Sequence, residues 1–402
     1  MKLFYLANIR MPTEKAHGLQ IMQNCAAFAE NGAQVTLYVA RRINTPELRA
    51  VQDIYAHYGV PRNFSVRRVP CLDLLPLGRA ERLLFAVQAL SFTLVLLVLM
   101  FFRRAELYYS RDVLTLVALS LIKPRCKLVY EAHALSQARL GEWLQRLCVR
   151  RVGLVVAITG HLAARLRERG AQRIIVEHDG FRAERFTDLP NQAAARRALN
   201  LPADAFIVGY VGRLHTMSMS KGVDTLIDAI AASRRPISLC LVGGPDQIAA
   251  QLHERWRAHA LPEANFLYAG QVVPAEVPRY LAAFDVCALP LPYTEHFAHY
   301  ASPLKLFEYM RAGKPILASD LPALAEVVCN EKTALLCPPA DAAAFGVALI
   351  RLYEDERLRA RLGAAAQAQS AQYTWSARAA RILSAARSQV STPTDAPQTR
   401  QR

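Results

Sequence analysis

KLFYLANI, at residues 2–9, is an apolar run that predicts a buried strand, and together with the next thirty residues it decides the fold. Residues 18–30 carry apolar side chains at helical spacing and end at Asn31-Gly32, a typical helix stop. The run QVTLYVA at residues 34–40 predicts a second strand. A strand, a helix and a strand in this order predict an α/β fold with a parallel, doubly wound sheet.

The alternation of strands and helices continues along the chain in two series. The first series ends near residue 177 and the second begins at residue 206, with a polar, turn-rich stretch between them. We therefore predict a Rossmann-like N-terminal domain at residues 1–182, an interdomain joint at 183–204 and a second Rossmann-like domain at 205–370. Two such domains place the carboxyl ends of their strands opposite each other across a cleft, where ligands bind.

The end of the chain is predicted to be a helix followed by a tail. Residues 371–388 form the last predicted helix, which is amphipathic and can pack on either domain, including back on the N-terminal one. Residues 389–402 hold polar residues and proline without an apolar period. They are predicted to be a disordered tail.

The composition is that of a folded protein with a strongly basic first half. The chain has 402 residues, of which 53% are hydrophobic and 20% charged, and this excludes disordered, collagen-like and disulfide-stapled proteins. The net charge is +16, and residues 1–180 hold 25 basic and 13 acidic side chains. An anionic partner is therefore expected, such as a phosphorylated substrate, a membrane surface or a nucleic acid.

The cysteines and the first residues both favour a reducing compartment. The eight cysteines include no Cys-x-x-Cys pair and sit mostly within apolar stretches, so we expect buried, reduced thiols rather than disulfides or zinc sites. The sequence begins MKLFYLA and shows no signal peptide with a small-residue cleavage site. We therefore expect the protein in the cytoplasm.

Residues 83–102 are twenty consecutive uncharged residues with arginines on both sides, and this length is enough to cross a membrane. They lie between predicted strands at 65–70 and 106–110, and a single span would place these two strands on opposite sides of the bilayer. Two alternatives stay open at this point. The segment is either a buried helix or a helix in the membrane interface with its arginines toward the headgroups.

The loop between the strand at 206–212 and a helix near residue 222 has the chemistry of a diphosphate site. It holds Arg213 and Lys221, eight residues apart, beside the free amides of the helix end. The alternative is a pair of solvated surface cations. Further along, the sequence VGG at residues 242–244 places two glycines directly after a strand, where a backbone can approach a ligand closely.

The stretch SPLKLFEYMRAGKPI at residues 302–316 predicts a short helix that begins after Pro303 and stops at Gly313. Glu308 falls among apolar residues of this helix. A carboxylate in that position either faces solvent or meets a hydroxyl group of a ligand. The residues alone leave both alternatives open.

These segments together resemble a known family. GR…KG at residues 212–222, VGG, and PLKLFEYM-x-AGKPI at 303–316 are similar to the retaining, nucleotide-sugar-dependent glycosyltransferases of family 4 (glycosyl transferases group 1), which have the GT-B fold. Three further segments resemble parts of the N-terminal domain of that family: KAHG at 15–18, YEAH at 130–133 and EHDGF at 177–181. The resemblance therefore extends over nearly the whole chain.

The resemblance implies transfer of a hexose from a nucleotide diphosphate sugar to a glycan or lipid-linked acceptor, in cell-surface polysaccharide or glycolipid synthesis. It implies a catalytic group in which Arg213 and Lys221 bind the donor diphosphate and neutralise the leaving nucleotide. Glu308 would bind the donor ribose, and His133 would lie near the transferred sugar. The remaining donor contacts that it implies are Gly18, Gly243, Ser302, Pro303 and Leu304.

One position departs from the pattern of the family. The first glutamate of the Glu-x7-Glu motif contacts the transferred sugar, and at its position this chain has Tyr300. Glu295, five residues earlier in the same loop, is a candidate substitute. His296 and His299 have i, i+3 spacing but no neighbouring carboxylate pattern, so no metal site is predicted there.

Neither a divalent metal nor another cofactor is expected. Breaking the bond between the anomeric carbon and the diphosphate develops positive charge on the sugar and negative charge on the leaving oxygens. Fixed cations and helix-end amides can stabilise that leaving group in place of a metal. The chain has no Asp-x-Asp motif, which the metal-dependent GT-A alternative would normally need.

Three rival functions differ from glycosyl transfer in what they require. A dinucleotide-dependent oxidoreductase needs Gly-x-Gly-x-x-Gly after the first strand, and residues 9–18 lack it. A nucleotide-sugar epimerase of the same fold shares the diphosphate chemistry but needs no acceptor. A nucleic-acid-binding protein would explain the charge, but the 41 arginines and 8 lysines are scattered, without a basic run interleaved with aromatic residues.

The charge is better explained by an anionic lipid-linked acceptor, or by an anionic membrane surface beside residues 83–102. Nucleic acid is not an expected partner. The expected location is therefore the cytoplasm, with peripheral attachment to the inner face of the cell membrane.

Overall fold

The computed structural model describes residues 1–13, 15–75, 81–216 and 219–390. Within this part the chain forms two compact units. The first unit comprises Met1–His178 together with the segment that starts at Trp375, and the second comprises Asp179–Thr374. Each unit is built on its own parallel sheet.

The first unit contains a seven-stranded sheet in the order β3-β2-β1-β4-β5-β6-β7, and neighbouring strands are parallel throughout. Its strands are β1 (Lys2–Ala7), β2 (Gln34–Ala40), β3 (Ser65–Val69), β4 (Leu107–Ser110), β5 (Leu128–Ala132), β6 (Leu154–Ala157) and β7 (Ile174–Val176). Its helices before the domain boundary are α1 (Ala16–Glu30), α2 (Pro46–Arg49), α3 (Ile54–Tyr58), α4 (Glu81–Phe102), α5 (Val113–Leu119), α6 (Arg139–Arg151) and α7 (Gly160–Glu168).

The strand–helix–strand start predicted from the first forty residues is confirmed as β1, α1 and β2. β1 pairs in parallel with both β2 and β4, so it lies in the interior of the sheet. Leu3, Tyr5 and Leu6 are fully buried. A parallel strand covered by helices on both faces buries side chains on both sides, and the run of apolar residues in β1 follows from that.

The second unit contains a six-stranded parallel sheet in the order β12-β11-β8-β13-β14-β15, and β9 and β10 form a separate antiparallel pair. Its strands are β8 (Phe206–Val211), β9 (His215–Thr216), β10 (Met219–Ser220), β11 (Ile237–Val242), β12 (Phe266–Gly270), β13 (Val286–Leu289), β14 (Ile316–Ser319) and β15 (Leu335–Cys337). Its helices are α8 (Gln192–Ala198), α9 (Val223–Ser233), α10 (Asp246–Ala258), α11 (Val277–Ala283), α12 (Leu304–Arg311), α13 (Pro322–Ala325), α14 (Ala342–Glu354) and α15 (Glu356–Ser370).

The core of the second unit has two layers, one on each face of its sheet. Alternate residues of a strand contribute to different layers: Cys240 packs with Phe284 and Met310, whereas Leu239 packs with Ile227 and Trp256. This alternation is the two-residue period of a β-strand. The carboxyl edge of the sheet is thereby held between two apolar layers.

The predicted joint at 183–204 differs from what the structure contains. These residues belong to the second unit, where Phe186 and Ala195 are buried in its core. Arg196 of α8 is also buried, because its guanidinium lies 2.6 Å from the Asp285 carboxylate and donates to the Ala283 carbonyl oxygen at 3.0 Å. Polar composition was therefore a poor sign of a linker here, since a charged side chain can be buried when it is paired.

The last helix, α16 (Trp375–Val390), returns to the first unit. Ile382, Leu383 and Ala386 are buried, and the helix packs against α1. The helix ends at Val390, two residues beyond its predicted end at residue 388 and inside the predicted tail at 389–402. The remaining residues of that predicted tail, 391–402, lie outside the described residues.

The cysteines are unpaired, and five of the eight are buried. Cys240 and Cys287, for example, lie in the apolar strands β11 and β13. Burial in apolar surroundings makes a thiol a small packing group with low reactivity. This agrees with the expectation of buried thiols that are not joined in disulfides.

Candidate functional site

The predicted diphosphate cations lie at the carboxyl end of β8 in the second unit. Arg213 lies two residues after the end of β8 and is exposed. The β9–β10 pair then turns the chain back, and the backbone N–H of Lys221 donates to the Leu214 carbonyl oxygen at 3.2 Å. The hairpin thus returns Lys221 to the segment that carries Arg213.

The environment of Lys221 is less polar than that of Arg213. Its Nζ lies 4.1 Å from the centre of the Phe297 ring, in a cation–π contact. Burial lowers the pKa of Lys221 to about 8. At neutral pH the ammonium is therefore largely protonated, and a bound anion would raise its pKa further.

Gly243 is required by the backbone packing at this edge. Its φ is +131°, and a Cβ placed there would lie 2.2 Å from the Gly212 carbonyl oxygen. The N–H groups of Gly212 and Gly243 donate to the carbonyl oxygens of Val242 and Gly270, each at 2.7 Å. The glycine therefore lets the ends of β8, β11 and β12 meet closely, whether or not a ligand also approaches it.

Helix α12 carries the predicted carboxylate. Pro303 precedes the helix with an extended backbone, and Leu304 is its first residue. The Ser302 hydroxyl accepts a hydrogen bond from the Asp179 N–H at 2.8 Å, which fixes the segment that enters the helix. Glu308 lies one turn into α12 and is mostly buried, a point that the sequence left open.

The Glu308 carboxylate has a partner that sequence reasoning missed. A guanidinium N–H of Arg185 donates to Glu308 Oε1 at 3.0 Å, and Arg185 also donates to the Pro274 carbonyl oxygen. Burial raises the pKa of Glu308, and Arg185 opposes that rise. Arg185 is 123 residues from Glu308 in a stretch assigned to a linker, so no local motif connects the two.

The loop before α12 brings Glu295 to Tyr300. The Tyr300 hydroxyl donates to Glu295 Oε1 at 3.4 Å, although the two residues are five positions apart. Tyr300 is buried and Glu295 is exposed. An exposed carboxylate is therefore held close to the position where the family pattern has its first glutamate.

His133 lies in the first unit, after the carboxyl end of β5. It lines a cavity of about 330 Å³ together with His17, Gln20, Arg111 and Asp112. His133 Nε2 lies 2.8 Å from Glu131 Oε1, at hydrogen-bond distance. The imidazole is therefore oriented by a carboxylate.

Glu131 is fully buried at the centre of an ion-pair network that sequence reasoning also missed. Arg111 and Arg378 lie 2.9 and 3.0 Å from Glu131 Oε1, and the Tyr109 hydroxyl donates to Glu131 Oε2 at 2.6 Å. Burial alone would raise the pKa of Glu131, but the two arginines hold it well below its ordinary value. The one available signal was a glutamate inside the apolar strand LVYEA.

Gly18 lies in the first turn of α1, and neighbouring side chains explain why it is a glycine. A Cβ at this position would lie 2.5 Å from Thr13 Cγ2 and 2.7 Å from the Tyr58 hydroxyl oxygen. That hydroxyl accepts from the Thr13 N–H at 2.7 Å and donates to the Thr13 carbonyl oxygen at 2.9 Å. Gly18 thus permits the packing that fixes the loop before α1.

A second cavity of the first unit, at the carboxyl ends of β2 and β3, is lined by arginines. Its volume is about 450 Å³. Arg42 lies 3.5 Å from Asp73, whereas Arg41 and Arg68 are exposed. The arginines that line it are Arg41, Arg42, Arg49 and Arg68.

Part of the chain matches a protein family. A family model described as "Glycosyl transferases group 1" matches residues 205–355. A D-inositol 3-phosphate glycosyltransferase of Stackebrandtia nassauensis is 31% identical over 224 residues, which cover 53% of this chain and 48% of that protein. The enzyme of the same name from Streptomyces scabiei is 29% identical over 229 residues, with 53% and 48% covered. The chain thus spans about half the length of the curated relatives that it matches.

Solved structures resemble nearly the whole chain. Anabaena Alr3699/HepE in complex with UDP has a TM-score of 0.70 at 21% identity, covering 96% of this chain and 100% of that one. Sucrose-phosphate synthase from Thermosynechococcus elongatus has a TM-score of 0.75 at 20% identity, covering 96% and 98%. The predicted fold, two parallel-sheet α/β domains of the GT-B type, is confirmed.

Replacing Glu131 with glutamine tests the ion-pair network. We expect the free energy of unfolding at pH 7 to fall by about 3 to 5 kcal/mol, because Arg111 and Arg378 lose their charge partner. Since the pKa of Glu131 is lowered in the folded protein, its contribution is present at neutral pH and is lost as the pH falls below the ordinary value of 4.5. Urea unfolding at several pH values would measure both effects.

The matched control is Glu168→Gln on α7, where an exposed glutamate pairs with Arg165. This change should alter the free energy of unfolding by less than about 1 kcal/mol. A Glu131→Gln protein as stable as the wild type, or a stability difference that persists unchanged in acid, would contradict the assignment.

Proposed function

We propose that the protein transfers a hexose from a nucleotide diphosphate sugar to an anionic glycan or lipid-linked acceptor, with retention of anomeric configuration and without a divalent metal. The observation that carries this proposal is the placement of Arg213, Lys221 and Glu308 around the carboxyl edge of the second sheet, within the segment that matches group 1 glycosyltransferases. A role in cell-surface polysaccharide or glycolipid synthesis is part of the same proposal.

The two cations would stabilise the leaving nucleotide. As the anomeric bond breaks, negative charge grows on the diphosphate oxygens, and positive groups fixed in advance lower the energy of that state. Lys221 is partly desolvated against Phe297, so its attraction for a phosphate oxygen is stronger than that of a solvated lysine. UDP is bound by the structural neighbour Alr3699/HepE, and this supports a nucleotide-sugar donor.

Glu308 would accept hydrogen bonds from the donor ribose. Its contact with Arg185 fixes Oε1 and opposes the rise in the pKa of Glu308 that burial causes. The Glu295 carboxylate, held at the Tyr300 hydroxyl, would supply the sugar contact that the missing first glutamate makes in the family. For Gly18, Gly243, Ser302, Pro303 and Leu304, the roles in donor binding stay predictions.

His133, a residue of the first unit, would lie near the transferred sugar. Glu131 orients its imidazole and would stabilise positive charge on it, a suitable property near a departing diphosphate. The second cavity, with Arg41, Arg42, Arg49 and Arg68, would bind a phosphate or other acidic group of the acceptor. This explains part of the excess positive charge of the first half of the chain.

Two substitutions test the donor site, once the donor has been identified by thermal stabilisation with a panel of UDP-, GDP- and ADP-sugars. Arg213→Ala and Glu308→Gln should each lower kcat/KM for transfer by about 100-fold or more, because each removes a charge that the donor contacts. Arg213→Ala should leave the melting temperature within about 2 °C of the wild type, since Arg213 is exposed. Glu308→Gln should lower the melting temperature, because Arg185 loses its charge partner, so its activity is measured well below that temperature.

Arg257→Ala is the control, because Arg257 is near the C-terminal end of α10 and pairs with Glu263 on the surface. Its activity should equal that of the wild type. Wild-type turnover in Arg213→Ala or Glu308→Gln would reject the donor site. Release of an altered sugar nucleotide without any acceptor would instead favour the epimerase alternative.

We also propose that α4 attaches the protein to an anionic membrane surface. α4 is long and apolar enough to cross a membrane. Only 28% of its most apolar 18-residue stretch is buried within the protein. Its buried side includes Phe92, Leu96 and Met100 and packs against α5 and β3. On the opposite side is an exposed apolar stripe, which consists of Leu83, Leu90, Leu94, Val98 and Phe101.

A spanning orientation conflicts with the sheet that flanks α4. The strands β3 and β4, on either side of the helix in sequence, belong to one parallel sheet in the same unit. The buried side of α4 also includes Gln88, whose amide donates to Asn8 Oδ1 at 2.8 Å. A helix fixed along its length to a folded unit can enter the membrane interface only with its exposed stripe.

The surroundings of α4 fit anionic headgroups. Arg82 at its start and Arg103 and Arg104 after its end are exposed. A cavity of about 360 Å³ beside the helix is lined by Arg67, Arg68 and Arg103. The apolar stripe would enter the acyl boundary while the arginines contact lipid phosphates, and the protein would be peripheral on the cytoplasmic face of the membrane.

Co-sedimentation with vesicles tests this proposal. The protein should bind vesicles that contain phosphatidylglycerol more tightly than vesicles of phosphatidylcholine alone, and added salt should weaken binding. Replacing Leu90 and Leu94 with glutamate should weaken binding by about tenfold or more, because two apolar side chains no longer enter the lipid. Val347→Glu, at an exposed apolar position of α14, is the control. Salt-independent binding, or no binding, would reject the proposal.

A further inference from the structure

Lys305 holds a buried ammonium group that has no role in the proposed transfer reaction described above. It is the second residue of α12, and among the described residues its Nζ has no hydrogen-bond partner. The Nζ lies 3.6 Å from the centre of the Tyr210 ring, over the face of a buried strand residue. This cation–π contact favours the charge of the ammonium.

The position of Lys305 is at the edge of the candidate donor site. A Cβ placed on Gly212 would lie 3.3 Å from Lys305 Nζ, so the ammonium is next to the end of β8, immediately before Arg213. The absence of a side chain at Gly212 leaves this approach open. The long, flexible lysine side chain allows its ammonium to move past Gly212 toward a ligand at the sheet edge.

The surroundings make this ammonium unfavourable in the free protein. Burial and the nearby Lys221 lower the pKa of Lys305 well below its ordinary value, although Glu308 opposes the shift. A buried polar group without a hydrogen-bond partner destabilises the folded state. A lysine that served only the fold would be expected to have an acceptor, and a methionine would fill the same space at lower cost.

We propose that Lys305 is a third cation of the donor site, which donates to an oxygen of the nucleoside diphosphate together with Arg213 and Lys221. This inference rests on the proposed function. It also gives a role to the lysine of PLKLFEYM, a motif in which the family resemblance assigns roles to Pro303, Leu304 and Glu308 only. The acceptor missing in the free protein would be supplied by the diphosphate.

Lys305→Met tests the proposal, because methionine retains most of the side-chain length and removes the charge. Calorimetric titration with UDP, GDP and ADP identifies the diphosphate that the wild type binds. The Lys305→Met protein should bind that diphosphate about 10- to 100-fold more weakly. Its melting temperature without nucleotide should equal or exceed that of the wild type, since an unpartnered buried ammonium has been removed.

Lys314→Met is the matched control. Lys314 is another lysine of the second unit whose pKa is lowered by burial, but it precedes β14 and is therefore at the amino edge of the sheet. Its substitution should change diphosphate affinity by less than about twofold. Each of the two variants thus loses a desolvated ammonium group, one at the carboxyl edge and the other at the amino edge of the same sheet.

Three results would overturn the role of Lys305: a loss of affinity smaller than about tenfold, an equal loss in Lys314→Met, or a lower melting temperature of Lys305→Met without nucleotide. The last result would indicate a structural role. Failure of the proposed function would appear in the wild type itself, which would then bind none of the three diphosphates. In that case the role of Lys305 as a donor-site cation would be rejected together with the proposed function.

Discussion

Parallel pairing within each main sheet is the constraint on which both candidate sites depend. Because the strands run in one direction, their carboxyl ends share an edge, and residues that follow different strands meet there. In the first unit this brings Arg111, after β4, to the same cavity as His133, after β5. In the second it brings the glycines after β8 and β11 together. Sites of this kind are therefore assembled by topology from short, separate segments.

Buried charge, rather than local sequence, joins distant parts of each unit. In the first unit Arg378 of α16 reaches Glu131, 247 residues earlier, and so ties the end of the chain to the sheet. In the second unit Arg185 reaches Glu308 and Arg196 reaches Asp285. A buried charge without its partner is strongly destabilising, so each pair fixes the position of the segment that carries it.

The sequence allowed prediction of what depends on local pattern. The periodicity of the first forty residues predicted β1, α1 and β2, and the position of Arg213 after a strand placed it at the sheet edge. Glu131, Arg185 and Lys305 were missed because their significance comes from partners far away in sequence, or from the lack of one. The stretch 183–204 was predicted to be a joint because it is polar and rich in turn residues, whereas Arg196 is buried in an ion pair.

Two lysines at the carboxyl edge of the second sheet illustrate why stability and anion binding make opposite demands on such a site. Lys221 and Lys305 are both drawn out of water, against Phe297 and Tyr210, and the charge of Lys221 lowers the pKa of Lys305. The arrangement is unfavourable while the site lacks an anion. The same desolvation would strengthen the attraction to the proposed diphosphate, because charges interact more strongly through a medium of low polarity. The aromatic faces beneath both ammonium groups reduce the energy that is required to keep these two cations partly desolvated before an anion binds.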